Sequence, residues 1–179
     1  RRLDLSFSLA SMGSLELARD QGDLDAALAN YRSALELRRA VYTEDPANEF
    51  AFSSLVRGHE SMAGVLARQG DVDTATLRLR EVLDLRGRWE ATHRSPHGLR
   101  AWQASFHESL GNVFGTAAAS AKATLRQRDR WRRAREEYAG ALALWNEIAD
   151  DKPLEGDDAR HPERLRTAIS NCDRALAQR

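Results

Sequence analysis

The chain is predicted to be all-α: a right-handed solenoid of three helical hairpins closed by a C-terminal capping helix. Two observations carry this. Gln21-Gly22-Asp23-Leu24-Asp25-Ala26-Ala27-Leu28 returns 48 residues later as Gln69-Gly70-Asp71-Val72-Asp73-Thr74-Ala75-Thr76, and each copy continues into a matching tail, Tyr31–Arg38 and Leu79–Arg86. Apolar residues then recur at i, i+3, i+4 and i+7 along each copy, the period of an amphipathic helix. A unit repeated at this length is one supersecondary element copied along the chain, so function is expected on a surface that several copies build.

The second helix of each pair is the easiest to read. In the first copy Leu24, Ala27, Leu28, Tyr31, Ala34, Leu35, Leu37 and Val41 share one face; Asp23 precedes them as an N-cap, and Pro46 ends the helix by disfavouring a helical Asp45. The second copy runs from about Val72 to Thr92 and stops before Ser95-Pro96. A weaker third copy places Ala134, Tyr138, Ala141, Leu142 and Leu144 alike and stops before Lys152-Pro153. The intervening helices also repeat: Leu9-Ala10-Ser11-Met12-Gly13 aligns with His59-Glu60-Ser61-Met62-Ala63 and with His107-Glu108-Ser109-Leu110-Gly111. Their small residue lets a neighbouring helix come close. About a dozen extra residues, including Thr116 to Lys122, precede the third partner helix; their alanine content predicts a prolonged helix. The repeats span about 3–46, 48–94 and 97–151, and a cap spans about 162–178, in one domain of 179 residues expected to be a piece of a longer protein.

Composition narrows the function. A 42% hydrophobic and 30% charged chain suits a folded, helix-rich protein. Twenty-seven basic residues balance 27 acidic ones, which argues against a nucleic-acid binder, since that role needs a net basic field. Lys122 and Lys152 are the only lysines, an arginine bias that reads as genome composition. Cys172 stands alone and forms no intramolecular disulfide. No apolar run is long enough to cross a membrane, and a cytoplasmic setting is expected.

The repeated residues resemble the tetratricopeptide repeat. Gly13, Gly22-Asp23, Ala27, Tyr31, Ala34, Leu35 and Leu37 occupy its signature places, as do Ala63, Gly70-Asp71, Ala75, Leu79, Val82, Leu83 and Leu85. In the third copy Gly111, Ala134, Tyr138, Ala141, Leu142 and Leu144 match, but Arg128-Asp129 replaces Gly-Asp at a displaced turn. The usual unit has about 34 residues; this longer one resembles the arrays that follow bacterial serine/threonine kinase domains. The resemblance implies a non-catalytic interaction scaffold binding a peptide or partner domain in a concave groove. The alternatives it leaves are a regulatory or homodimerising module of a multidomain signalling protein, and phosphate or nucleic-acid binding.

The repeat pattern places Arg57, Glu60, Gly64 and Arg68, then Ser105, Glu108 and Asn112, on the groove side. The carboxylate clamp of some family members is missing, with Ala10 and Ser61 where lysine and asparagine are wanted. Arg126, Arg128, Arg130, Arg132, Arg133 and Arg135 crowd around Trp131 as a candidate basic patch, although Glu136 and Glu137 follow at once and favour a solvated, ion-paired face. His59-Glu60 and His107-Glu108 lack the second histidine of a zinc helix, because Ala63 and Gly111 stand in its place. These histidines are expected to pack. Trp89, Trp102 and Trp145 are expected to pack as well. No nucleophile constellation or phosphate loop is present, so neither catalysis nor a cofactor is expected.

Overall fold

The structure, a computed structural model, describes residues 1–19, 22–93, 98–120 and 125–178. Gln21, Ser95-Pro96 and Lys122 lie outside them. Every regular element among the described residues is helical: α1 (Arg2–Ala18), α2 (Leu24–Glu44), α3 (Glu49–Gln69), α4 (Val72–His93), α5 (Gly98–Ala119), α6 (Leu125–Asp151), a 3-10 turn (Asp158–Arg160) and α7 (His161–Ala177). The chain forms two compact units, Arg1–Arg78 and Leu79–Arg179, with α4 running through the junction. In the first, α1 packs on α2 and α2 on α3; in the second, α5 packs on α6 and α6 on α7.

The boundaries follow local chemistry. The Asp23 carboxylate accepts from the amides of Asp25 and Ala26 at 3.0 and 2.9 Å. Asp71, its repeat counterpart, accepts from Thr74 N at 3.1 Å, and Asn48 opens α3 by accepting from Ala51 N at 3.0 Å. Each satisfies a helix-start amide that has no carbonyl partner in its own helix. Asp23→Ala should therefore cost about 1 kcal/mol, read as a lower urea midpoint for the first unit.

The two Gly-Asp turns differ. Gly70 closes α3 in the left-handed region, φ 83°, where a Cβ is penalised. Gly22 has an ordinary φ, but a Cβ there would lie 2.7 Å from the Glu16 carbonyl oxygen. The same dipeptide thus meets two demands, one conformational and one of space.

In the first and third copies the small residue of the first helix faces the aromatic of the second. A Cβ on Gly13 would sit 3.2 Å from the Tyr31 ring and from the Ala27 carbonyl oxygen. On Gly111 it would sit 2.5 Å from the Tyr138 ring. Both rings are buried. Their hydroxyls reach the rim: Tyr31 to Ser14 Oγ at 2.8 Å, and Tyr138 donating to Asn112 Oδ1 at 2.8 Å. The second copy carries Ala63 and Leu79 at these register positions, both buried.

The third copy departs from expectation at its turn. Arg128-Asp129 is not a turn but part of α6, which begins at Leu125 and at 27 residues is the longest helix described. No glycine or proline stands between Leu125 and Ala139, so nothing stops the helix at Arg128-Asp129. The alanine-rich insertion does prolong a helix as far as Ala119 in α5. The open carbonyls at that helix end are capped from α6: Gln127 Nε2 donates to Ala118 O at 3.0 Å and Arg130 Nη1 to Ala117 O at 3.1 Å.

Candidate functional site

The face of α3 turned to solvent carries Arg57, Glu60, Gly64 and Arg68. Offsets of 3, 7 and 11 residues put them in one stripe of a helix. Arg57 and Arg68 are exposed and Glu60 is half-exposed. A Cβ added to Gly64 would meet nothing within 4 Å, so the stripe is open at its middle. Eleven residues at about 1.5 Å per residue separate the two arginines by about 16 Å along the axis. Neither guanidinium has an ion-pair or hydrogen-bond partner among the described residues. The opposite faces of α3 supply much of the first unit's core, with Leu55, Val56, Met62, Ala63, Val65 and Leu66 all buried.

Next to Arg57 lies a second, concealed cation. Arg38 of α2 is 2% exposed. Its Nε donates to Ser6 Oγ and its Nη1 to the Ser54 carbonyl, both at 3.2 Å, and the guanidinium lies over the Phe7 ring, 5.2 Å from its centre. No carboxylate is paired with it among the described residues. Burial above all, and then the charge of Arg57, push its pKa below the ordinary arginine value, with Tyr31 opposing. The charge is held by dipoles and a ring alone, so the potential around Arg57 stays positive. The sequence offered one hint of this, the arginine that ends the Tyr31–Arg38 string at a position of the apolar face.

In the second unit Glu108 and Asn112 stand one turn apart on α5. Glu108, which the repeat pattern puts on the groove side, is 8% exposed. Its Oε2 bonds His161 Nδ1 at 2.7 Å and its Oε1 lies 3.2 Å from Arg164 Nη2. The His161 ring stacks on Trp145 at 4.5 Å and 8°. The reason is the cap. The first turn of α7 brings an imidazole and a guanidinium back onto α5, so the carboxylate that a ligand would meet is taken by the chain itself. Asn112 remains exposed and accepts the Tyr138 hydroxyl. His161 and Arg164, three residues apart at a helix start, were the unread signal.

The arginine cluster is spent internally. Arg128 donates to Leu176 O at 3.4 Å and Arg130 to Ala117 O; Arg132 pairs with Asp129 at 3.0 Å and Arg135 with Asp173 at 2.5 Å; Arg133 lies over Phe114 at 5.6 Å. Only Arg126 has no such contact among the described residues. The contacts of Arg128, Arg130, Arg133 and Arg135 fasten α6 to α5 and α7, while Arg132 pairs within α6; Arg132 and Arg135 each meet a carboxylate.

The remaining candidates pack. His59 is buried and His107 is half-buried against Glu137, at 2.6 Å. Trp89 stacks on His93 at 3.9 Å, and Arg86 covers Trp102 at 4.9 Å. A cleft of about 220 Å³ opens between Ala101, Trp145, Ile148 and the loop from Lys152 to Asp158. Among the described residues no group of three His, Cys, Asp or Glu side chains is placed to hold a metal ion, and no helix is long and apolar enough to cross a membrane.

No curated protein and no solved structure matches the chain. The tetratricopeptide repeat family matches residues 5–47, which span α1, its turn and α2. Repeats of this family generally mediate protein–protein interaction. Residues 5–47 are thus similar to a tetratricopeptide repeat, in a chain whose regular elements are all helical among the described residues, as a repeat array of that family requires.

Proposed function

We propose that the chain is a non-catalytic interaction scaffold whose α3 stripe binds an extended acidic segment of a partner protein. One observation supports this above the rest: Arg57 and Arg68 stand exposed without partners on a single stripe, and the buried, anion-free Arg38 lies beside the first of them. A carboxylate arriving at Arg57 gains a fork-shaped donor and relieves the repulsion between the two guanidiniums. The spacing suits carboxylates four or six positions apart in an extended strand, at about 3.3 Å per residue, since only even offsets put both on one side. Glu60 lies between the arginines and would disfavour acidic residues at the middle of that segment. Glu108 takes no part in this reading, because α7 holds it; Asn112 is left as a polar donor and acceptor at the surface of α5.

The test is fluorescence anisotropy with labelled peptides carrying two glutamates spaced four, five or six residues apart. The four- or six-residue spacing should bind better than five, which turns the two carboxylates to opposite sides, and binding should weaken as salt rises toward 0.5 M. Arg57→Glu combined with Arg68→Glu should lower affinity at least tenfold without changing the thermal melt, since both side chains are exposed. Equal binding by the double variant would remove the α3 stripe as the site.

A further inference from the structure

Three charged side chains that follow α6 stand unpaired, and all three stand around one cleft. Its walls come wholly from the second unit: Ala101 near the start of α5, Trp145 and Ile148 in the last turns of α6, and residues 152–155 and 158 of the segment that leads to α7. Trp145 and Ile148 are 2 and 7% exposed and make its depth. Lys152, Glu155 and Asp158 are exposed and make its rim. Gly156 turns this segment through the left-handed region, φ 59°, so that residues on both sides of it reach the cleft.

The neighbouring charges are in use. Asp151 pairs with Arg100 at 2.6 Å and Asp157 with Arg160 at 3.3 Å. Lys152, Glu155 and Asp158 have no side-chain hydrogen bond or ion pair among the described residues. The depth of the cleft carries an unsatisfied group as well. Trp145 Nε1 is a buried donor with no hydrogen-bond partner among the described residues. Such a donor is costly until an acceptor reaches it. The volume, about 220 Å³, lies below the roughly 300–1,000 Å³ of sites for drug-sized ligands and sets the occupant at the size of an amino acid.

We infer that the cleft binds a free α-amino acid with a branched apolar side chain. Its carboxylate accepts from Trp145 Nε1 and from the Lys152 ammonium. Its own ammonium donates to Glu155 and Asp158, and its side chain lies against Ile148 and Leu154. The rim asks for both signs of charge and the walls ask for an apolar body; a zwitterion of this size offers all three. The cleft shares no residue with the α3 stripe, so the two proposals stand or fall independently.

Isothermal titration calorimetry of the whole chain with leucine, leucinamide and 4-methylpentanoate tests it. Leucine should bind with a dissociation constant below about 10 mM. Leucinamide lacks the carboxylate and should bind at least about tenfold more weakly; 4-methylpentanoate lacks the ammonium and should lose about fivefold, less because its partners are exposed. Lys152→Gln should narrow the gap between leucine and leucinamide. Glu155→Gln combined with Asp158→Asn should close the gap between leucine and 4-methylpentanoate. These side chains are exposed, so the melt of each variant without ligand should match the parent. In a proton–nitrogen correlation spectrum the Trp145 indole resonance should move with leucine more than with leucinamide. Leucine binding weaker than about 10 mM would overturn the assignment. So would equal or tighter binding of leucinamide, which would give the cleft to a chain N-terminus, or of 4-methylpentanoate, which would make it a plain carboxylate site. Gaps that persist unchanged in the rim variants would overturn it too, since the discrimination would then arise elsewhere.

Discussion

Gly111→Ala should destabilise the second unit by about 1–3 kcal/mol, the cost of forcing a methyl group into a filled space. The added carbon would lie 2.5 Å from the Tyr138 ring, and the ring is buried and cannot swing aside cheaply. Gly13→Ala should cost less, because its closest contacts are 3.2 Å. All four tryptophans, Trp89, Trp102, Trp131 and Trp145, belong to the second unit, so tryptophan fluorescence in urea reads the Gly111 effect directly. The second copy suggests the remedy. It carries alanine with leucine where the third carries glycine with tyrosine. Tyr138→Leu alone should lower stability through the cavity it leaves, yet combined with Gly111→Ala it should cost less than the sum of the two by at least about 1 kcal/mol. Strict additivity would show that the two positions do not compete for one space.

Glu108→Ala should loosen α7, and Cys172 offers a built-in reporter. That thiol is 1% exposed, and burial, aided by the neighbouring Asp173 charge, raises its pKa. Both effects make it slow toward thiol reagents in the docked state. Removing Glu108 strips His161 of its carboxylate partner and Arg164 of its ion pair, while Trp145 stacking and the burial of Leu165 remain. The expected loss is about 1–3 kcal/mol of docking free energy, since one charge of the cluster is exposed and screened. Each 1.4 kcal/mol corresponds to about a tenfold rise in the rate at which Cys172 is labelled, provided labelling follows undocking. Arg164→Ala should give a smaller rise than Glu108→Ala. An unchanged rate in the Glu108 variant would mean that apolar packing alone holds the cap.

Helix positions were legible because they rest on local signals. Asp23, Pro46, Gly70 and the i, i+3, i+4, i+7 apolar positions act within a turn or two of themselves, and helix boundaries obey such neighbours. The register of the small residues was legible too, since a repeated Gly or Ala has a repeated cause. What stayed hidden was long-range. Nothing near Glu108 announces that its partners lie 53 and 56 residues away on the cap. Nothing in the arginine run tells which guanidiniums reach carbonyls on α5 and α7 and which meet water. The turn expected at Arg128-Asp129 failed for a related reason. The insertion displaces the third copy from the register of the other two, and the residues from Leu125 favour helix. At the α3 stripe, exposure follows from the period, but the burial of Arg38 beside Arg57 depends on Ser6 and Ser54, 32 and 16 residues away.

The fit between small residue and aromatic also constrains how this repeat can change over time. From a Gly–Tyr pair, alanine arriving first produces a clash, whereas leucine arriving first produces a void that later substitution can fill. Each order passes through a destabilised intermediate, and the size of the clash against that of the void decides which of Ala–Tyr and Gly–Leu is the tolerable step.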